Sequence, residues 1–545
     1  MRAAARLSNS LKSSIVRIPA AAPLAEALWW LADHRPARRT VKPATIPERR
    51  FADSLSRWLV DLGSAAPVVP MPPPRRVMVF TSVQRLVEMS TAVAVVLAHR
   101  NCDVDLVFVP RYWNRQVGSP SRWDRAIYER LVWRPLRAIR HPRLRAFSLD
   151  GVPEAEIPAN VVEAMRGQAR IDVMYIRRRE SVYVDGTDAP LFRQRVARDV
   201  ATARRVCTLL SAANYDTVLI GNGLVLEAGA VYRAVLRSAA LPVTFEAWDK
   251  EQAIVASQGK PWSSYDLSDR WNAVDPHAPD AARAERVEAL MASRAGRTVT
   301  AKGVTYQENA PEEPAVTRER LHIRPGVPVV LVCTNVFWDS IYLSMNKHPF
   351  PSMREWLVRS VRHLSGRTDC AVIVQPHPLE RMSSSAETLE DIVLHAGLGD
   401  APNVRILHPR EFNTYSLMAL ADLGVVYAST TGLEMAMRGI PVLCGNVYHY
   451  SGKGFTMEPA TESDYFGLME RVLADPAAYR LSRREIELAR SYADLFFNEL
   501  TRPFPWTLTK FRNDELLDSE HPMAEVLSAG GQRRYGPIFD YLAGR

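Results

Sequence analysis

The sequence predicts an α/β protein with two doubly wound, Rossmann-like domains that face a cleft, with an N-terminal helical arm and a C-terminal helical extension. Short, wholly apolar segments alternate with helical patterns, which is typical of parallel sheets covered on both faces. The alternation occurs in two series separated by a polar stretch. The chain has 545 residues, more than one hydrophobic core usually organises.

The predicted domain boundaries follow these two series. The first series contains the strands VMVF, VDLVFVP, TVLIGN and PVTFEA, and the second contains PVVLVCTN, CAVIVQ, VRIL, LGVVYA and IPVLCG. Residues 111–153 are basic and aromatic without a clear period, and we expect them to form a loop insertion. The predicted parts are a basic arm with a proline-rich linker (1–70), an N-terminal Rossmann-like domain (71–255), a connector (256–325), a C-terminal Rossmann-like domain (326–475) and C-terminal helices with a tail (476–545).

The charge distribution favours an anionic partner. The net charge is +9, and the excess lies in the first fifty residues and in a basic run over 111–145. Such asymmetry fits a membrane surface, a phosphorylated substrate or nucleic acid, and charge alone does not choose among them. The arm contains Trp29 and Trp30 within a partly apolar segment. This segment fits a helix lying on a membrane surface, or a helix packed on the protein itself.

The cysteines and the hydropathy pattern indicate the cellular compartment of the protein. The five cysteines form no C-x-x-C pair and lie mostly in apolar runs, which predicts reduced, buried thiols. No stretch approaches the 18 or so apolar residues that a membrane-spanning helix needs. We therefore expect a cytoplasmic protein that can lie peripherally at the inner face of the plasma membrane through its basic arm.

Ligands of doubly wound sheets bind beyond the carboxyl ends of the strands, so the residues that follow each strand are candidates. In the second domain His377 and Pro378 follow CAVIVQ, and the preceding proline makes this turn rigid. The imidazole could donate a hydrogen bond to a phosphate, or it could bond to a nearby carbonyl. PVVLVCTN ends at Asn335, and Asp339 follows soon after.

The segment YASTTGLEMAMRGIPVLCGN places three hydroxyls, a glycine and an acid between a strand and a helix. With Thr431 as N-cap, Glu434 falls at position N3, and the pair reads as a capping box. This capping box does not account for Ser429, Thr430 and Gly432. Hydroxyl groups beside the free N–H groups at the start of a helix can hold an anion. The two interpretations are compatible.

The remaining strand ends supply further polar candidates. Asn446 and Lys453 lie in a glycine- and aromatic-rich loop after IPVLCG, where the lysine is suited to closing over a phosphate or is simply solvated. In the first domain TVLIGN presents Asn222 and Gly223, and PVTFEA presents Glu246. A carboxylate such as Glu246 or Asp339 at a strand end is a candidate general base or a helix cap.

Several cofactor motifs are absent from the sequence. There is no G-x-x-x-x-G-K-[ST] loop and no G-x-G-x-x-G fingerprint, which disfavours P-loop nucleotide hydrolysis and dinucleotide binding. No histidine pair or carboxylate cluster has the spacing of a metal site. We therefore expect neither a metal nor a cofactor.

The segments VIVQPHPLE and LMALADLGVVYASTTGLEMAMRGIPVLCGNVYHYSGKGFT, together with CTNVFWDS and GNGLVLEAGAVYRAVLRSAALPVTFE, resemble the bacterial capsular polysaccharide biosynthesis glycosyltransferases. This family has the GT-B fold and includes capsule-type Kdo transferases. The resemblance covers about residues 218–456. It implies transfer of a sugar from a CMP-, UDP- or GDP-linked donor to a saccharide or glycolipid acceptor, with no nucleic-acid partner.

The resemblance also implies roles for individual residues. His377-Pro378 match the family's His-Pro motif and imply a donor phosphate or nucleotide contact, and Ser429-Thr430 match its Ser/Thr motif and imply phosphate contacts. Glu434 matches an acidic position that holds ribose hydroxyls. The chain departs from the family at 222–224, where Asn-Gly-Leu stands in place of Asn-Gly-Arg.

The predicted function is a metal-independent glycosyltransferase that builds a cell-surface polysaccharide or glycolipid. Fixed donors would stabilise the departing phosphate, and either Glu246 or Asp339 would activate the acceptor hydroxyl. Three alternatives stay open. They are a nucleotide-sugar epimerase, a polyol-phosphate transferase, and a non-catalytic subunit that keeps the fold within an envelope assembly.

Overall fold

The computed structural model describes residues 47–82, 84–109, 129–248, 250–265, 267–274, 280–296, 307–345, 347–380, 387–507 and 521–545. The predicted membrane-facing segment around Trp29 and Trp30 lies outside the described residues, as does the part of the basic run over 110–128. Within the described residues, no helix is both long enough and apolar enough to cross a bilayer. All five cysteines are free thiols, and Cys207 alone among them is not fully buried.

The strands of the described chain are β1 (Arg75–Thr81), β2 (Cys102–Phe108), β3 (Leu144–Ser148), β4 (Thr217–Gly221), β5 (Leu241–Ala247), β6 (Ala253–Gln258), β7 (Val329–Cys333), β8 (Ala371–Gln375), β9 (Val404–Ile406), β10 (Leu423–Val426), β11 (Val442–Cys444) and β12 (Arg502–Pro503). The helices are α1 (Pro47–Ser64), α2 (Gln84–His99), α3 (Arg134–Arg137), α4 (Ala159–Arg177), α5 (Ala189–Ala212), α6 (Leu226–Val235), α7 (Ser268–Asn272), α8 (Ala281–Ala295), α9 (Pro314–Arg320), α10 (Ser340–Ser344), α11 (Met353–Ser365), α12 (Leu389–His395), α13 (Thr414–Met418), α14 (Thr430–Ala436), α15 (Glu462–Ala474), α16 (Arg483–Asp494), α17 (Met523–Leu527) and α18 (Ala529–Leu542).

The chain forms two compact units, each with its own sheet. Unit 1 consists of the described residues within Met1–Ala169, Ala189–Trp262 and Arg502–Arg545, and unit 2 of those within Arg170–Asp188 and Ser263–Thr501. The predicted fold class of two doubly wound α/β sheets is confirmed by the strand orders.

The sheet of unit 1 has the strand order β12-β6-β5-β4-β1-β2-β3. Strands β1 to β5 are parallel, whereas at one edge β6 pairs antiparallel with β5, and β12 pairs antiparallel with β6. The central strand β1 is at most 1 % exposed from Val77 to Phe80, because helices cover both faces of the sheet. This arrangement explains why the central strands read as unbroken apolar runs.

Two strands of unit 1 differ from the sequence prediction. The predicted insertion over 111–153 contains β3, and the residues predicted as the start of the connector contribute to β6. Strand β3 lies at the sheet edge, where Arg145 points outward and pairs with Asp105 of β2. An edge strand that carries charge lacks the continuous apolar run that made the central strands recognisable.

The C-terminal residues also differ from the predicted separate tail, because they complete unit 1. Phe504, Trp506 and Phe539 are fully buried in the core that also contains α1 and α2. Arg100, the residue that follows α2, forms a charge-assisted pair with Asp540 of α18. The sequence shows the helical periodicity of this segment, but not that it packs against strands several hundred residues earlier.

The Phe539→Ala variant is expected to lose about 3–5 kcal/mol of unfolding free energy, because it removes a fully buried aromatic ring from a close-packed core. Urea unfolding followed by tryptophan fluorescence measures this loss. Arg533→Ala on the exposed face of the same helix is the matched control and should be nearly neutral. Equal stabilities for the two variants would show that α18 is not part of this core.

The sheet of unit 2 is wholly parallel, with the order β11-β10-β7-β8-β9. The segment Arg170–Asp188 belongs to this unit. Its Glu180 carboxylate accepts the backbone N–H groups of Met353 and Arg354 at the start of α11, and Lys347 is its ion-pair partner. Helix α15 ends before Pro476, which cannot continue it, and α16 begins at Arg483.

Candidate functional site

The strand order of unit 2 locates its ligand-binding edge. From β7 the chain adds β8 and β9 on one side and then β10 and β11 on the other, so the order reverses between β7 and β10. Ligands of doubly wound sheets bind at the carboxyl ends of the two strands that flank such a reversal. In the register of the sheet, Val426, Cys333 and Gln375 are neighbours. The polar candidates that follow β10, β7 and β8 therefore converge at this edge.

Asn335 links the two strands that flank the reversal. Its Nδ2 donates to the carbonyl oxygen of Ala428, with the two atoms 2.6 Å apart. This bond fixes the amide orientation, so Oδ1 is the free acceptor of the side chain. Oδ1 is buried and has no hydrogen-bond partner in the described part of the chain. Buried polar atoms are nearly always paired, so an unpartnered one at a ligand-binding edge indicates a site.

Two neighbouring side chains share this property. Thr334 Oγ1 and Gln375 Oε1 are also buried without a partner among the described residues, and both residues are nearly inaccessible. The Thr334 N–H donates to the Gln375 carbonyl, which continues the ladder between β7 and β8. Sequence reasoning missed both residues. The available signal was a polar residue at the end of each otherwise apolar strand.

His377 lies in the turn after β8, as predicted, and is half-buried. Its Nδ1 accepts the backbone N–H of Leu379 at 3.1 Å, so the proton of the neutral ring is on Nε2. Burial, with a smaller contribution from the charge of Arg410, lowers the pKa of His377 to about 4. The side chain is therefore a neutral N–H donor at physiological pH. Pro378 begins a short 3₁₀ turn over Pro378–Glu380.

The hydroxyl triplet has a different local structure from the predicted one. The N-cap of α14 is Ser429, whose hydroxyl accepts the N–H of Thr431 and donates to the Thr431 hydroxyl. Glu434 therefore does not lie at N3, and the prediction of a capping box formed by Thr431 and Glu434 is wrong. Ser429 has extended backbone angles that suit an N-cap, so the helix begins two residues earlier. The half-buried Thr430 hydroxyl makes no hydrogen bond within the described chain.

Position 432 must be glycine because the side chain of Tyr450 occupies the space that a Cβ atom would need. A Cβ atom at this position would lie 2.4 Å from the hydroxyl oxygen of Tyr450 and 3.2 Å from its ring carbon Cζ. That hydroxyl donates to the carbonyl of Ser429 at 2.8 Å. The close approach expected at Gly432 is therefore explained by Tyr450, which ties the loop after β11 to the start of α14.

The Gly432→Ala variant is expected to lose about 1–3 kcal/mol of unfolding free energy, because the new methyl group forces the Tyr450 ring away from α14. Combining it with Tyr450→Phe should recover part of the loss, since the hydroxyl is the nearer of the two obstacles. Chemical denaturation of both single variants and the double variant gives the coupling energy. Strict additivity would mean that the two residues do not meet.

Glu434 is bound by protein groups on both carboxylate oxygens. Arg294 of α8 reaches Oε1 through Nε and Nη2, at 2.7 and 2.6 Å, and the Tyr415 hydroxyl donates to Oε2 at 2.8 Å. Burial and the charge of Glu434 raise the pKa of Tyr415, which keeps its hydroxyl protonated. The structure thus gives Glu434 a role in holding α14, while its predicted contact with ribose hydroxyls stays a prediction.

Three other candidates of unit 2 also have internal contacts. Asn446 accepts the His348 N–H at 3.0 Å and lies near the Met345 sulfur. Asp339 is the N-cap of α10 and accepts the Ile341 N–H at 2.9 Å. The Lys453 ammonium lies over the ring of Trp271, 5.8 Å from its centroid, between two glycines with positive φ. Of these, Lys453 keeps a charge suited to an anionic ligand.

In unit 1 the strand order reverses between β1 and β4, and the predicted residues lie beside this point. Asn222, with φ of 63°, donates to Glu246 at 2.7 Å, and Gly223 with φ of 75° packs against Thr244. Glu246 also accepts the N–H of Ala247. Thr81 at the end of β1 has a buried hydroxyl without a partner among the described residues. Both sheets therefore present unpartnered oxygens where their strand orders reverse.

Comparisons with known proteins give distant structural similarities. No protein-family profile matches the chain, and no curated protein matches it. Among solved structures, the KpsC beta-Kdo 2,4 transferase of Thermosulfurimonas dismutans is 15% identical, with 51% of this chain and 79% of that chain aligned and a TM-score of 0.31. Sucrose-phosphate synthase from Thermosynechococcus elongatus is 13% identical over 78% of this chain and 95% of that chain, with a TM-score of 0.27.

A third similar structure is the UDP-GlcNAc 2-epimerase from Neisseria meningitidis bound to UDP-GlcNAc. It is 10% identical, with 78% of this chain and 100% of that chain aligned and a TM-score of 0.23. At these identities and TM-scores the similarities carry no weight for function. Among the described residues, no group of three or more His, Cys, Asp or Glu side chains has metal-binding geometry.

Proposed function

We propose that this chain is a GT-B-type glycosyltransferase that takes a nucleotide-activated sugar as donor. The observation that carries the proposal is the carboxyl edge of the unit 2 sheet. There Asn335 bridges the two strands at the reversal, and unpartnered oxygens lie beside the turn that holds His377. The hydroxyl-rich segment and the resemblance to capsular polysaccharide glycosyltransferases point to the same substrate class.

The proposed chemistry needs donors that are fixed before the sugar–phosphate bond breaks. His377 offers an N–H from a ring whose orientation is set by Leu379, and Thr430 offers a hydroxyl. Lys453 adds a positive charge on the adjacent loop. Preorganised donors of this kind stabilise the charge that develops on a leaving phosphate without reorganisation. The proposed reaction is therefore independent of a metal.

A general base must take the proton of the acceptor hydroxyl as the new glycosidic bond forms. We assign this role to one of the two half-buried carboxylates at strand ends, Glu246 in unit 1 or Asp339 in unit 2. Glu246→Gln and Asp339→Asn preserve the size of each side chain and remove its basicity. The variant with the larger fall in turnover identifies the base.

Turnover of CMP-, CDP-, UDP- and GDP-linked sugars, with and without saccharide or glycolipid acceptors, tests the proposed function. The expected result is nucleotide release that depends on an acceptor. Isomerisation of the sugar without any acceptor would identify an epimerase instead, and transfer of glycerol or ribitol phosphate from a CDP-polyol would identify a polyol-phosphate transferase. Absence of binding to every nucleotide would identify a non-catalytic subunit.

The proposed acceptor is part of a bacterial cell-surface polysaccharide or glycolipid, and the basic arm is proposed to hold the protein at the inner membrane surface. Flotation with liposomes that contain anionic lipid, for the full-length protein and for a variant that lacks residues 1–46, tests the second point. Full-length protein should float and the truncated variant should remain at the bottom. Equal flotation of the two proteins would show that the arm does not hold the protein at the membrane.

A further inference from the structure

His449 lies in the loop between β11 and α15, within an aromatic cluster of unit 2. Its ring stacks on Phe496, with centroids 4.0 Å apart and an interplanar angle of 11°, and Tyr265 meets it edge-on. Tyr492, one helical turn before Phe496, lies on the same side. The imidazole plane is therefore fixed by packing, and its two nitrogens point in defined directions.

Hydrogen bonds with Tyr492 define the tautomer of this ring. The Tyr492 hydroxyl oxygen lies 2.7 Å from the His449 carbonyl oxygen and 2.9 Å from His449 Nδ1. Tyrosine has one hydroxyl proton, and the carbonyl oxygen can only accept, so the proton is donated to the carbonyl. Nδ1 must then carry a proton and donate to the hydroxyl oxygen. The lone pair of the neutral ring is consequently on Nε2.

This Nε2 atom is buried and has no hydrogen-bond partner in the described part of the chain. Nε2 of His99 in unit 1 is also buried without such a partner among the described residues, whereas His363 is paired with Glu470 and His521 with Tyr535. Burial lowers the pKa of His449 well below its usual value, so the ring stays neutral. The neutral ring thus holds a hydrogen-bond acceptor that none of the described residues uses.

The His449 ring is connected to the candidate site through its neighbours in sequence and space. Tyr450, the next residue, donates to the carbonyl of Ser429, the N-cap of α14. Trp271, which lies under Lys453, meets Tyr492 at 5.4 Å between ring centroids. The loop that carries His449 is therefore held against the start of α14, next to the hydroxyl-rich segment.

We propose that His449 Nε2 accepts a hydrogen bond from a hydroxyl group of the bound saccharide and so determines sugar specificity. The proposal rests on the function proposed above and assigns a contact for the sugar part of the donor. A lone pair repels anionic oxygens, so a phosphate does not fit, whereas a hydroxyl does. Flat aromatic faces beside the acceptor suit the apolar C–H faces of a sugar ring.

The test compares two ligands on two proteins by calorimetry. The ligands are the nucleotide-sugar that binds wild type best among CMP-, UDP- and GDP-linked sugars, and the corresponding free nucleotide. His449→Phe keeps a ring that can stack on Phe496 but has no lone pair. We expect it to weaken nucleotide-sugar binding about 10-fold or more, as for a site left with a hydroxyl unpaired. Binding of the free nucleotide should stay within about two-fold of wild type.

An equal loss for both ligands, or no loss for either, would overturn the proposal while leaving the proposed function intact. Absence of any nucleotide binding to wild type would overturn both, which separates the two failures. ¹⁵N NMR of the histidine side chains in the unmodified protein provides a second test that needs no variant. The His449 spectrum should show a protonated Nδ1, and its Nε2 signal should shift with the nucleotide-sugar but not with the nucleotide. The opposite tautomer, or an unchanged Nε2 signal, contradicts the assignment.

Discussion

The His377→Ala variant is expected to lose about 100-fold or more of the transfer rate while retaining its fold, the loss typical of removing one preorganised donor from a developing negative charge. The imidazole donates from Nε2, and alanine supplies no replacement. Because the pKa of His377 is about 4, the ring is neutral at both pH 6 and pH 8, so the loss should be the same at both values. Steady-state turnover with a saturating donor measures it.

His395→Ala is the matched control, since this histidine is exposed at the end of α12 in the same unit. Its turnover should equal that of wild type. Circular dichroism and thermal unfolding of both variants establish that the fold is retained. Unchanged turnover of the His377→Ala protein refutes the role assigned to this residue.

The same histidine predicts the sign of a pH effect on stability. The pKa of His377 is about 4 in the folded protein, below the ordinary value of 6.5, so the unfolded chain binds more protons between these values. Stability should therefore decline as the pH falls from 6.5 towards 4, and His377→Ala should make that decline shallower. Denaturation midpoints between pH 4 and pH 7 measure the difference, and identical slopes would contradict the assigned pKa.

The Glu434→Ala variant is expected to lose about 2–3 kcal/mol of unfolding free energy in the absence of any ligand. It leaves the Arg294 guanidinium and the Tyr415 hydroxyl without their shared acceptor. Loss of one partner from a fully buried pair costs more, but the Arg294 side chain is 26 % exposed and water recovers part of the energy. Urea denaturation of the ligand-free protein measures the change.

The Arg294→Met/Glu434→Leu double variant distinguishes the electrostatic contribution of the ion pair to stability from the contribution of its packed volume. Since both charges are removed together and apolar volume replaces them, the double variant should be more stable than Glu434→Ala alone. A Glu434→Ala protein as stable as wild type, but defective in nucleotide binding, would show instead that the carboxylate serves the ligand and not the fold.

The fold was predictable from the sequence where the strands are central and apolar. Strands β1, β7 and β8 are buried on both faces, and their residues read as unbroken apolar runs. Strand β3 was not predicted, because Arg145 alternates with buried residues at a sheet edge. The place of α18 in unit 1 was not predictable either. It depends on contacts with residues more than 400 positions away in the chain, such as the pair of Arg100, directly after α2, with Asp540.

The positions of Asn335 and His377 after β7 and β8 were predictable from the strand ends, whereas their roles in binding stay predictions. The capping pattern of Thr431 and Glu434 was misleading, because a capping box is defined by side-chain spacing and the actual helix start is set by the backbone of Ser429. The partner of Gly432 is Tyr450, which no local pattern reveals. Tyr492, which fixes the His449 tautomer, is likewise distant in sequence. Such contacts depend on tertiary packing.

We propose that the carboxyl edge of the unit 2 sheet binds a nucleotide through its phosphate. The most direct test is a titration of CMP, CDP, UDP and GDP into the wild-type protein and into His377→Ala, followed by calorimetry. We expect wild type to bind at least one of these nucleotides and the variant to bind it at least about tenfold more weakly, which is the typical effect of losing a hydrogen bond to a charged group. Failure of all four to bind wild type, or equal binding by the two proteins, would contradict it.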